Sequence, residues 1–140
     1  METQETTKPV FVRILLGSIT AGAVGVVANN LYNLLYSNIT GSGAPEIINF
    51  GSVTSGSLMP AVAAGLVYYL LSRFTHRATR VFIIISVVLL ILSLFKLANM
   101  TELSTGVPVP DGFTGLTIPM HIISGLAIVL IVPRFVKNKN

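Results

Sequence analysis

A few polar side chains lie inside long apolar stretches of this 140-residue chain, and their types could do chemistry. Imidazole, ammonium, amide and hydroxyl groups are represented by His121, Lys96, Asn29, Asn30 and Ser57. Polar residues are costly to place in a membrane, so by default such residues indicate a functional site. His121 is the strongest single candidate, because an imidazole can exchange a proton near neutral pH.

These five residues are predicted to lie in the outer half of a bilayer, where they could line a small polar pocket. At a helical rise of about 1.5 Å per residue, Asn29 and Lys96 lie about 22 Å above the inner edge of a core about 30 Å thick. His121 lies about 12 Å below the outer edge. The alternative is ordinary packing, in which Lys96 extends to the headgroups, the asparagines bond across helices and His121 is a satisfied packing residue.

Several kinds of chemistry are excluded or unsupported. The chain has no cysteine, so thiol catalysis and thiolate metal sites are excluded. His76 and His121 are predicted at opposite membrane faces and cannot share a haem. No acidic residue lies inside a predicted span, so the carboxylate of a typical proton-coupled carrier is missing. We predict no catalytic residue, no metal and no cofactor.

Two glycine-rich segments lack the features of a binding loop. GSGAPE (41–46) and GSVTSGS (51–57) have no phosphate-loop spacing, and their glycines are interpreted as ordinary loop glycines. The net charge of +4 comes from basic residues beside apolar segments, and membrane topology explains it. No nucleic-acid partner is therefore predicted.

The elements that position these residues are predicted to be membrane-spanning helices. The chain is 52% hydrophobic and 10% charged, whereas a soluble domain carries about 25% charged residues. Barrel strands would alternate in polarity, and these apolar blocks do not. We predict an all-α membrane protein, a single domain over 1–140, folded as an antiparallel (up-down-up-down) four-helix transmembrane bundle. The predicted spans are about 14–36, 56–74, 81–98 and 113–135.

Orientation is predicted from the positive charges. Eight of the nine Lys and Arg residues lie before the first span, between the second and third, or after the fourth, and only Lys96 lies on the other side. The positive-inside rule then places both termini in the cytoplasm. The alternative is a cleaved signal peptide ending near Val26 and Ala28, although the apolar run continues past them.

Small residues predict which helix faces pack together. In the first span, residues with small or amide side chains recur every four positions: Gly17, Ala21, Gly25, Asn29 and Asn33. The other spans carry similar faces, which include Ser86, Ser93, His121 and Ser124. Lipid gives helices little hydrophobic reason to associate, so such faces are the predicted contacts.

The link RFTHRATRVF, the helix ending near ILSL and the last span opening with PMHIISGLAIV resemble an uncharacterised family of short bacterial membrane proteins. That family is a domain-of-unknown-function grouping with four helices over its whole length. The positions that match are Arg77, Arg80, Ser93 and His121. The resemblance implies the architecture and a bacterial inner membrane, and it implies no activity.

Three classes of function remain open. We favour a non-enzymatic accessory or partner-binding protein in the lipid bilayer, with other membrane proteins or a second copy as candidate partners. The second class is transport of a small solute by an oligomer through the outer pocket. The third, an intramembrane enzyme using His121, lacks a visible nucleophile–base pair. Tightly packed helices would favour the first class, and an occupied cavity beside His121 would favour the others.

Overall fold

The structure is a computed structural model that describes residues 10–41 and 43–136. Most of these residues are in helices. In order they are α1 Val10–Thr40, α2 Phe50–Phe74, α3 Ala78–Ala98 and α4 Phe113–Ile131. A 3-10 turn, Val132–Phe135, continues α4. Within the described residues the strand-type pairing amounts to one isolated bridge, between Glu102 and Pro108. The all-helical prediction is therefore confirmed, and the segments at both termini lie outside the described residues, with Lys8, Lys137 and Lys139.

The helix α1 is longer than its apolar segment, by four residues at each end. At its C-terminal end, Asn38 and Thr40 donate side-chain hydrogen bonds to the carbonyls of Leu34 and Tyr36, at 2.7 and 2.8 Å. Because 31 residues make a helix of about 46 Å, the end turns extend beyond a hydrocarbon core of about 30 Å. The apolar segment of the sequence corresponds only to the part of α1 that is needed to cross the hydrocarbon core.

The start of α2 corrects the interpretation of the GSVTSGS segment. Gly51 and Gly56 are helical residues and not loop glycines, since α2 begins six residues before the predicted start. A capping box holds this end: Ser52 N–H donates to the side chain of Asn49, and the backbone N–H of Asn49 donates to the Ser52 hydroxyl. Two helix-terminal donors are satisfied in this way, which offsets the poor helix propensity of glycine.

The end of the fourth span also differs from its prediction. The α-helix ends at Ile131, and Pro133 lies in the 3-10 turn that follows. Proline has no N–H and its ring clashes with the carbonyl four residues earlier, which favours a helix end near Pro133. The effect is not absolute in a membrane helix, since α2 and α4 continue through Pro60 and Pro119. The third helix differs less, as it begins three residues before the predicted start and ends where predicted.

The helix α1 packs against both α2 and α4. Its contacts with α2 are Ser18 with Gly65, Gly22 with Ala61 and Gly25 with Ser57. Residue numbers therefore rise along α1 as they fall along α2. The contacts with α4 follow the same opposite order, because Arg13 donates to the carbonyl of Phe135 whereas Tyr32 donates to that of Gly115. This order supports the predicted up-down-up-down arrangement.

The predicted small-residue face of α1 is buried as expected. Gly17, Ala21, Gly25 and Asn29 are buried, and Asn33 is half-buried. Small residues let two backbones approach closely, which increases van der Waals contact between helices in lipid.

All four helices are long and apolar enough to cross a membrane. Most of their large apolar side chains are exposed, and in the most apolar stretch of α3 only 11% of the residues are buried. Apolar surface of this extent on every helix requires a non-aqueous environment. The chain is accordingly a multi-pass membrane protein.

Candidate functional site

Asn29 joins three helices at the middle of the bundle. Its Nδ2 donates to Ser57 Oγ on α2 at 3.0 Å and to Ser124 Oγ on α4 at 2.8 Å. Asn29 and Ser57 are only 3% and 2% exposed. Asn29 Oδ1 is also buried, and it has no hydrogen-bond partner among the described residues. An unpartnered buried acceptor costs about 1–3 kcal/mol. The Asn29 amide therefore forms two hydrogen bonds between helices and leaves one acceptor unsatisfied.

A cavity of about 640 Å³ lies beside this amide, between α2, α3 and α4. Along α2 its lining extends from Ser52 to Val67, which corresponds to about 22 Å of helix. At one end of the cavity, near the link of residues 75–77, Tyr68 and Phe82 pack edge to face at 4.9 Å between ring centroids. The walls are mostly apolar side chains, and the cavity is partly open to the surroundings.

The polar groups that line the cavity differ in whether they are already bonded. The hydroxyls of Ser57, Ser93 and Thr117 donate to carbonyls of their own helices. The Ser86 hydroxyl has no partner among the described residues, and Ser124 accepts from Asn29 without an acceptor for its own proton. His121 Nδ1 lies 2.9 Å from the Thr117 carbonyl. A carbonyl oxygen can only accept, so Nδ1 carries the proton of this bond, and in the neutral ring Nε2 remains a free acceptor.

The structure brings together three of the five residues predicted for the pocket. Asn29, Ser57 and His121 all line the cavity. Asn30 does not, because its side chain is bonded to the Val26 carbonyl of the same helix at 2.8 Å. Lys96 is exposed and lines a separate depression of about 430 Å³ with residues 99–104. Depth along a helix carries no information on the direction in which a side chain points, and this direction separates Asn30 and Lys96 from the cavity.

Sequence reasoning assigned Ser86 and Ser124 to packing faces and not to the pocket. Their spacing along the helix from other residues that line the cavity could have identified them. Ser124 follows His121 by three residues, so the two lie on the same face of α4. On α3, Ser86 lies one turn before Leu90, whose side chain packs against Gly125 of α4.

Sequence comparison adds a family but no activity. No curated protein and no solved structure matches the chain. The profile of DUF6069, described as a family of unknown function, matches residues 2–138. The four helices and the short length agree with the resemblance noted from the sequence. The chain belongs to this family of unknown function, DUF6069.

Proposed function

We propose that the protein is a non-enzymatic membrane protein whose partner is a small amphiphilic molecule taken from the bilayer and held in the cavity between α2, α3 and α4. The single observation that carries this proposal is the cavity itself, about 640 Å³ in volume, apolar in most of its lining and partly open. Ligand sites have this character: concave, mostly apolar and with a few placed polar groups.

The position of the cavity favours a molecule that enters from lipid. Its lining extends over about 22 Å of α2, which is most of the thickness of a hydrocarbon core of about 30 Å. An extended apolar chain could therefore lie in it parallel to the surrounding lipids. The few polar groups would then contact the polar end of such a molecule.

The hydrogen bonds of His121 favour binding over catalysis. A serine nucleophile needs a base within hydrogen-bond reach. Within the described residues, His121 is hydrogen bonded to the Thr117 carbonyl and to no hydroxyl group. The hydroxyl of Ser124 is held by Asn29 instead. This arrangement favours a role of the His121 ring in ligand binding over a role as a general base for a neighbouring hydroxyl.

Photolabelling tests the proposed function. The probes are diazirine derivatives of hexadecanol and hexadecanoic acid, applied to the purified protein in micelles. We expect saturable labelling of cavity residues by at least one probe. Gly56 lines the cavity and an added Cβ there meets no atom within 4 Å, so Gly56→Phe should fill the space and remove most of the saturable labelling.

The matched control is Met59→Phe, which adds the same ring to the same helix at a position that is 72% exposed and outside the cavity lining. This variant should label as the wild type does. Labelling that does not saturate with either probe, or that is unchanged in Gly56→Phe, would contradict the proposed function.

A second candidate function is transport of a small solute by an oligomer. The length of the cavity favours it, since the lining extends from Phe113 at one end of α4 to Ile128, fifteen residues further on. Reconstitution into liposomes distinguishes the two functions. A transporter should release a trapped solute at a rate that Gly56→Phe reduces, whereas a binding protein should cause no release.

We further propose that the protein lies in the cell membrane with both termini in the cytoplasm. Eight of nine basic residues support this orientation. The chain has no cysteine, so single cysteines report cleanly. In intact cells Thr105→Cys, at an exposed loop position, should react with an impermeant maleimide, and His76→Cys, in the exposed link, should react only after lysis. The reverse pattern would mean the opposite orientation.

A further inference from the structure

The cavity lining carries no formal charge. None of the residues that line it in the described part of the chain is Asp, Glu, Lys or Arg. An ammonium group would lose its hydration there without gaining a counter-ion, and a carboxylate or phosphate would gain one only if His121, the one titratable side chain of the described lining, took up a proton. Burial of an unpaired charge is among the largest costs in a membrane protein. The polar end of a molecule held in this cavity should therefore be neutral.

The free hydrogen-bonding groups specify that neutral end further. His121 Nε2 can accept one hydrogen bond, because Nδ1–H is committed to the Thr117 carbonyl. Ser124, one turn along the same face, has a hydroxyl proton without an acceptor among the described residues. A group that donates to the first and accepts from the second would satisfy both.

The Asn29 amide gives an independent observation at the same wall. The Asn29 side chain lines the cavity and is only 3% exposed. Its Oδ1 has no hydrogen-bond partner among the described residues. Asn29 Oδ1 and His121 Nε2 are both acceptors without a donor among the described residues, whereas Ser124 supplies one free proton, so this side of the cavity has more free acceptors than donors. An ether or ester oxygen would add another acceptor and would leave the deficit in place.

We propose that the cavity selects a neutral amphiphile with a hydroxyl group, such as a long-chain alcohol, whose hydroxyl donates to His121 Nε2 and accepts from Ser124. The inference rests on the proposed function, because it names the class of molecule that the same cavity takes. A hydroxyl is the smallest neutral group that both donates and accepts, and its apolar chain would occupy the remaining walls.

Competition against the diazirine derivative of hexadecanol tests this selection. The competitors share one chain and differ at the end: hexadecanol, hexadecyl methyl ether, hexadecanoate and hexadecylammonium. Hexadecanol should compete best. The methyl ether should be weaker by about two- to tenfold, the factor that one net hydrogen bond gives. The two charged competitors should be weaker still, because their charge would be buried without a fixed counter-ion. In His121→Phe the alcohol and the ether should compete equally.

Two further variants separate hydrogen bonding from shape. His121→Gln retains an acceptor at a similar reach and should keep part of the preference for the alcohol. His76→Phe changes the other histidine, which lies in the exposed link, and should behave as the wild type. Saturable labelling that Gly56→Phe removes, but with no preference for alcohol over ether, would overturn this inference and leave the proposed function standing. The same holds if the preference persists in His121→Phe. No saturable labelling would overturn both.

Discussion

Gly65→Ala is expected to destabilise the bundle, although alanine is normally the better helix former. Gly65 is buried in α2 against Ser18 of α1, and an added Cβ would overlap Ser18 Oγ and lie 2.9 Å from Ser18 Cβ. Ser18 is itself fully buried, so it has no space in which to turn away. The two helices would have to separate. Overpacking of this kind costs about 1–3 kcal/mol.

The measurement is the free energy of unfolding in mixed micelles titrated with dodecyl sulfate. Gly56→Ala is the matched control, because it makes the same change in the same helix at a position where the new Cβ meets no atom within 4 Å. It should leave the unfolding free energy nearly unchanged or raise it. Equal losses in the two variants would mean that the close contact with Ser18 does not decide the result.

A double-mutant cycle tests the contact directly. Ser18→Gly removes both of the atoms that the new methyl group would meet, so it should restore much of the stability that Gly65→Ala loses. Residues in direct contact show interaction energies of about 0.5–3 kcal/mol in such cycles. Additive losses from the two substitutions would show that Ser18 and Gly65 do not share a contact.

The position of this contact shows how far the sequence predicts the packing. The face of α1 followed from its four-residue repeat, and four of its five predicted members are buried. The partner of each residue did not follow, because a repeat on one helix carries no information on the height of its neighbour. That Ser18 meets Gly65 depends on the loop between α1 and α2.

The candidate site was predictable in part for the same reason. Asn29, Ser57 and His121 were recognised as polar residues within spans, and their helical rise gave similar depths. Lys96 belongs to the same depth range, yet it lies in a different depression, with residues 99–104. The volume between α2 and α3 was not predictable, since it depends on how the helices diverge beyond the contact between Tyr68 and Phe82. No local pattern specifies that divergence.

The last expectation concerns the amide that links three helices. Asn29→Asp should lower the free energy of unfolding by more than Asn30→Asp does, with a difference of about 1–3 kcal/mol. Asn29 Nδ2 donates two hydrogen bonds, to Ser57 at 3.0 Å and to Ser124 at 2.8 Å. A carboxylate donates none, so the bond to Ser57 is lost, because the Ser57 hydroxyl already gives its proton to the Val53 carbonyl. Ser124, whose proton has no acceptor among the described residues, can still donate to the acid. Each such bond is worth about 0.6–2 kcal/mol in a membrane.

Asn30→Asp makes the identical chemical change one residue along the same helix, so both variants bring an acidic group into the membrane span. Asn30 is half-buried and its amide bonds only the Val26 carbonyl of its own helix. The difference between the two unfolding free energies therefore reports the contacts between helices together with the deeper burial of position 29. Unfolding of both variants in the same micelles gives that difference. If Asn30→Asp is as destabilising as Asn29→Asp, the hydrogen bonds to Ser57 and Ser124 do not hold the three helices together.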